Sequence, residues 1–244
     1  MDSGYYAACA GLKAQTQALE VVANNLANIN TSGYRGQQPT FRSLLASASG
    51  AASNPLNRAI NDFNVLGSSR VDLGPGSLER TGNPLDLAIE GNAFFAVETK
   101  AGTLYTRNGS FQVSVQGELT TGEGDRVLGE QGPLRVPSGT ASISADGTLS
   151  VNGAVAGKVR LVEFAPASVL VPQGRSYYSA PDGAAQPATG AYVRQGMVEA
   201  SNVNPVAAMV GLIAVQRHAE MLQRALSLFH SDFNRIAADE LPRV

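Results

Sequence analysis

The chain has 244 residues, 43% hydrophobic and 16% charged, with 18 Lys and Arg against 20 Asp and Glu for a net charge of −2. That length suffices for one large domain or two smaller ones, each with its own core. The charge balance offers no basic footprint for nucleic acid and no polybasic membrane patch, and no run reaches the ~18 apolar residues that a spanning helix needs.

The opening Met1-Asp2-Ser3-Gly4-Tyr5-Tyr6 lacks a basic stretch followed by an apolar one, so no cleavable secretion signal is expected. The single cysteine, Cys9, excludes an internal disulfide. Over the N-terminal stretch, positions 5, 8, 12, 15, 19, 22, 26 and 29 are Tyr5, Ala8, Leu12, Gln15, Leu19, Val22, Leu26 and Ile29. That alternating three-and-four spacing predicts a coiled-coil helix over 3–28, roughly 39 Å long. Asn24, Asn25 and Asn28 fall in or beside its seam, where polar groups cost stability and can fix register. Asn30-Thr31-Ser32-Gly33 then supplies a stop and a turn.

The stretch 44–66 is rich in Ala and Ser and reads as a connector. Beyond it the helix breakers crowd together: 20 of the 26 glycines lie between Gly67 and Gly196. Leu85, Leu87 and Ile89 alternate, as do Phe111, Val113 and Val115, and later Val159 and Leu161. Asn108-Gly109, Gln116-Gly117, Asp146-Gly147 and Asn152-Gly153 punctuate these segments as turn pairs. A compact antiparallel β domain over 67–200 is the expectation. At Asn204-Pro205 an N-cap precedes a proline suited to the first helical position. The helix that follows carries Leu212, Val215, Ala219, Leu222, Leu226, Phe229, Phe233 and Ile236 at the same heptad spacing.

The expected class is therefore α+β: a mainly-β central domain inserted between N- and C-terminal helices that pair as a coiled coil. The helical core is expected from 1–43 and 201–244. Leu12, Leu19, Val22, Leu26, Leu212, Val215, Leu222, Leu226, Phe229 and Phe233 would be its apolar contacts, and Asn24, Asn25 and Asn28 its polar ones. Pairing leaves Val206, Met209, Val210 and Ile213 off the seam, and contiguous exposed apolar residues mark interaction surfaces. An open, head-to-tail contact of that kind builds a filament. Periodicity alone leaves this reading level with a private helical pair packed on its own β domain.

Little in the chain points to catalysis. His218 and His230, twelve residues apart on one helix, point about 120° from each other and cannot share a metal. His230-Ser231-Asp232 has triad residue types, but consecutive helical residues diverge. Asp86 and Glu90 would sit about 13 Å apart on a strand, too far for paired glycosidase carboxylates. Gly122-Glu123-Gly124 lacks the third glycine of a dinucleotide loop. No cofactor or metal is expected. A cell-wall hydrolase and a soluble β-domain binding module stand as the alternatives from other classes.

Three blocks carry a resemblance. Val21-Val22-Ala23-Asn24-Asn25-Leu26-Ala27-Asn28, continuing through Thr31-Ser32-Gly33-Tyr34-Arg35, closely resembles the N-terminal signature of bacterial flagellar basal-body rod and hook proteins. Thr81-Gly82-Asn83-Pro84-Leu85-Asp86-Leu87-Ala88-Ile89-Glu90-Gly91 and Tyr105-Thr106-Arg107-Asn108-Gly109-Ser110-Phe111 resemble the family's central domain. Gln195-Gly196-Met197-Val198-Glu199-Ala200-Ser201-Asn202-Val203-Asn204-Pro205 resembles its C-terminal signature. The chain departs from the family pattern at Arg217-His218-Ala219, where many members carry an aromatic residue.

The resemblance implies an axial subunit, exported uncleaved through the flagellar type III apparatus into the periplasmic rod. Its helices would line the inner tube, and its partners would be copies of itself and other rod subunits. Length and the stretch 64–73 resemble proximal-rod members best, ahead of distal-rod members. Hook subunits usually carry a larger outer insertion, for which this length has no room.

Overall fold

The computed structural model describes residues 2–42, 65–165, 170–174 and 176–240. It is an α+β chain with a helix at each end and strands between them. The first helix, α1, spans Asp2–Ala27 and the last, α2, spans Pro205–Glu240. Neither contains an internal proline, and α2 starts at the proline that follows Asn204. The connector expected at 44–66 lies outside the described residues, apart from Val65 and Leu66, which begin a strand.

The chain divides into two compact units. One comprises Met1–Leu26, Gln37–Arg70 and Pro205–Val244, and therefore holds nearly all of α1 together with α2. Within it, β1 (Gln37–Arg42) pairs with β2 (Val65–Val71). Asn25 clamps the start of this ribbon: its Nδ2 donates to Gln37 O (2.7 Å) and its Oδ1 accepts from Gln37 N (2.8 Å). The helices approach closely where Gly211 faces Val22, since a Cβ on Gly211 would lie 3.9 Å from Val22 Cγ1.

The other unit comprises Ala27–Gly36 and Val71–Asn204. Its strands are short and joined by tight turns. In chain order they begin with β3 (Leu78–Arg80), β4 (Leu87–Glu90), β5 (Ala93–Thr99), β6 (Gly102–Thr106), β7 (Phe111–Val113), β8 (Leu119–Thr121) and β9 (Arg126–Gly129). Next come β10 (Gly132–Pro133), β11 (Ala141–Ile143), β12 (Thr148–Val151), β13 (Ala154–Lys158) and β14 (Leu161–Phe164). Last are β15 (Val171–Pro172), β16 (Tyr177–Ser179), β17 (Ala185–Pro187), β18 (Tyr192–Gln195) and β19 (Met197–Glu199).

The main sheet runs β15-β16-β6-β5-β9-β8-β7, with β10 added on β9 and β14 bridging β5 to β17. A three-stranded sheet, β11-β12-β13, and the pairs β18-β4 and β19-β3 complete the unit.

β5 organises the core because both its faces are covered. Side chains alternate along a strand, so Phe94 and Phe95 point to opposite sides. Phe95 enters the larger cluster with Leu87, Val97, Leu119, Val127 and Leu149, and meets Phe111 edge-on at 5.0 Å. Phe94 enters the smaller cluster with Val71, Val162 and Tyr178, and stands edge-on to Phe164 and Tyr178 at 5.5 and 5.9 Å.

Two expectations from residue pattern turn out differently. The alternation Phe111-Val113-Val115 stops at Val113, because Ser114 N–H bonds Glu118 O and Gly117 N–H bonds Ser114 O to close a hairpin turn. Val115 lies fully exposed on that turn. Asn108-Gly109 is not a hairpin turn. Gly109 is required by close packing there, since a Cβ would fall 1.6 Å from Leu87 O.

Phe95 is fully buried and touches both the sheet and Phe111. Phe95→Ala should therefore lower the unfolding free energy by about 3–5 kcal/mol, measured by urea denaturation of the purified chain.

Candidate functional site

Two features stand apart from ordinary packing: the apolar stripes of the helices, and a cluster of buried charges in the β unit. Among the described side chains of α1, the fully buried ones are small: Ala8, Ala14 and Ala18. Leu12, Leu19, Val22 and Leu26 are half-buried, as are Asn25 and Asn28, while Asn24 is exposed. Asn28 turns inward locally, accepting from Thr31 Oγ1 at 3.1 Å.

On α2, Leu212, Val215, Leu222 and Leu226 are half-buried along one side. Phe229 and Phe233 lie on the same helix, but their side chains are outside the described residues. Val206, Met209, Val210 and Ile213 remain 70, 53, 62 and 51% exposed. At about 100° per residue these four centre on the face opposite Leu212, Val215, Leu222 and Leu226. Further along, that face mixes the charged Arg217, Glu220 and Arg224 with Met221 and Leu228, which are 57 and 64% exposed. The densest exposed apolar set thus lies on the first turns of α2.

The charge cluster is built from three distant segments. Glu199 is 2% exposed, Arg35 1% and Arg107 2%. Glu199 Oε1 lies 2.7 Å from Arg35 Nη2, and Oε2 lies 3.2 Å from Arg107 Nη1. Gly76 N–H donates to Oε1 at 2.8 Å. One carboxylate faces two guanidinium groups, with Asp72 also acting on Arg35, and backbone carbonyls accept part of the remaining donors. Arg107 donates to Ile89 O and Gly91 O and packs over the Phe94 ring at 5.1 Å, and Arg35 donates to Gly74 O.

Burial pulls the Arg107 pKa down to about 10, opposed by Glu199, and the same competition lowers that of Arg35. Burial pushes the Tyr178 phenol up to about 12, and its oxygen accepts the Arg35 N–H at 3.0 Å.

Around the cluster, segment 33–36 is tied down at every residue. Gly33 N–H bonds Glu199 O (2.6 Å), Tyr34 O accepts from Asn202 N (3.3 Å), and Gly36 N–H bonds Asn202 Oδ1 (2.7 Å). Gly33 has φ +68°, and a Cβ there would fall 2.2 Å from Asn108 N, so only glycine fits. Sequence reasoning assigned no role to Arg35, Arg107 or Glu199. The available signal was that each is a charged residue inside one of the recognisable blocks, and those blocks meet here.

A β unit closed by its own N-terminal segment, in a chain with a partly covered amphipathic helix at each end, is an arrangement suited to a structural protein. Family models agree with that class along the chain. The flagella basal body rod protein model matches residues 6–35, the flagellar hook protein FlgE/F/G D1 domain residues 88–151, and the flagellar basal body rod FlgEFG protein C-terminal model residues 194–236.

The flagellar basal-body rod protein FlgF of Mesorhizobium japonicum is 36% identical over 226 residues, covering 90% of each chain. Escherichia coli FlgF is 32% identical over 243 residues, covering 93% of this chain and 94% of its own. Agrobacterium fabrum FlgG is 32% identical over 247 residues, covering 90 and 92%. The chain belongs to the flagellar basal-body rod protein family, and its likeness runs most to the FlgF members.

Removing one member of a buried ion cluster leaves the others uncompensated. Arg107→Ala should cost about 3–5 kcal/mol in unfolding free energy, and Arg35→Met/Arg107→Met/Glu199→Leu together should cost less than that single change. Chemical denaturation of the two variants side by side checks both.

Proposed function

We propose that this structural rod subunit assembles through its helices, with α1 and α2 paired as a coiled coil in each copy and the first turns of α2 meeting a neighbour. The exposed set Val206, Met209, Val210 and Ile213, opposite the half-buried seam, carries this reading. Burying one such side chain contributes about 1.5–3 kcal/mol, so a patch of four strongly favours association. Within a copy, the close approach of Gly211 to Val22 supports pairing, with Leu12, Leu19, Val22, Leu26, Leu212, Val215, Leu222, Leu226, Phe229 and Phe233 as the apolar core.

Asn25 and Asn28 already bond within the chain, and with Asn24 they would add polar register contacts. The mechanism is mechanical and non-enzymatic: stacked helices transmit torque and line the export channel.

The position proposed is the proximal rod, supported by the FlgF relatives at 30–36% identity. The distal rod is the second reading, favoured by FlgG relatives at 32%. Family membership supports the further reading that the chain is exported uncleaved through the flagellar type III apparatus to the periplasmic rod. Among the described residues no helix is long and apolar enough to cross a membrane.

Leu222→Asp, and separately Leu26→Asp, should abolish incorporation into isolated basal bodies while the β unit keeps its strand signature by circular dichroism. Normal incorporation of either variant would sink the helical-assembly reading. Imaging basal bodies from cells lacking the chain decides the position: a rod that stops near its base marks a proximal subunit.

A further inference from the structure

Segment 31–36 sits in the β unit as a peptide sits in a receptor. Ser176 Oγ donates to Ser32 O at 3.4 Å, Tyr34 is buried, and Asp72 N–H bonds Gly36 O at 2.7 Å. Backbone hydrogen bonds such as these exchange readily with water when a segment peels away. The Arg35 side chain is different. It cannot leave without stripping Glu199 of one of its two buried counter-charges, and Glu199 is held from the far side by Arg107. Arg107 is in turn bonded to Ile89 O and Gly91 O and packed on Phe94, which roots it in the central strands. The covalent chain runs from one end of this segment into α1 and from the other into β1.

We propose that Glu199 is a positioning residue that latches segment 33–36 to the β unit. Force arriving along the chain from α1 is then passed into the sheet instead of peeling the segment away. The mechanical meaning rests on the rod reading; the latch itself does not.

Hydrogen–deuterium exchange on the purified full chain tests it. Glu199→Gln keeps the side-chain volume and an acceptor for Gly76 N–H but removes the charge. Exchange at the amides of 33–36 should rise at least ten-fold while those of β5 and β6 hold their rates, and Arg35→Met should give the same pattern. Unchanged protection of 33–36 in both variants would overturn the latch. So would an equal rise across β5, β6 and 33–36, which would mark Glu199 as a general stabiliser. Neither result depends on incorporation into the rod, so a failed rod reading would be recognised separately.

Discussion

A carboxylate shut away from water stays ionised only if cations come with it. Glu199 is such a group, and the two arginines that answer it bring their own surroundings along. Arg35 carries the segment that follows α1, and Arg107 carries the loop after β6 together with the carbonyls of Ile89 and Gly91. Glu199 itself ends β19, whose partner is β3. The requirement to neutralise one buried charge thus decides which distant pieces of backbone lie together. Glycine completes the arrangement, because Gly33 and Gly76 pass where a Cβ would strike the backbone of Arg107, Asn108 or Ala200.

The helical unit obeys a different rule. Among the described side chains, no large one of α2 is fully buried, and α1 buries only small residues completely. Small buried residues let helices draw close, while the larger neighbours at half exposure keep apolar area available. Such a surface leaves apolar area on one copy open to contact with another chain. After Ile213 the exposed side of α2 alternates charge with single apolar residues, Met221 and Leu228, so its apolar area is densest near Pro205.

Much of this was legible in the chain because proline and glycine are placed so unevenly. Proline's absence from the interiors of the end segments, and the density of glycine in the middle, separate helix from strand before any hydropathy is considered. The helix start at Pro205 and the exposed set on α2 were both readable from spacing. The ion cluster was not, since Arg35, Arg107 and Glu199 lie far apart and a charged residue ordinarily reads as surface. Strand order was equally hidden, because turn signals fix where the chain reverses and say nothing about which strands become neighbours. The readings of Val115 and Gly109 failed for local reasons: alternation does not reveal where a hairpin begins, and a turn-forming pair can serve close packing instead.

The pairing of Gly36 with Asn202 spans 166 residues, and that of Arg107 with Glu199 spans 92. Closing so long a loop has to precede the reward from the contacts it creates, which makes folding slow relative to proteins with local contacts. During synthesis the β unit therefore lacks its final strand until residue 199 has emerged, with most of the chain already made. Late closure is thus written into the topology of the β unit.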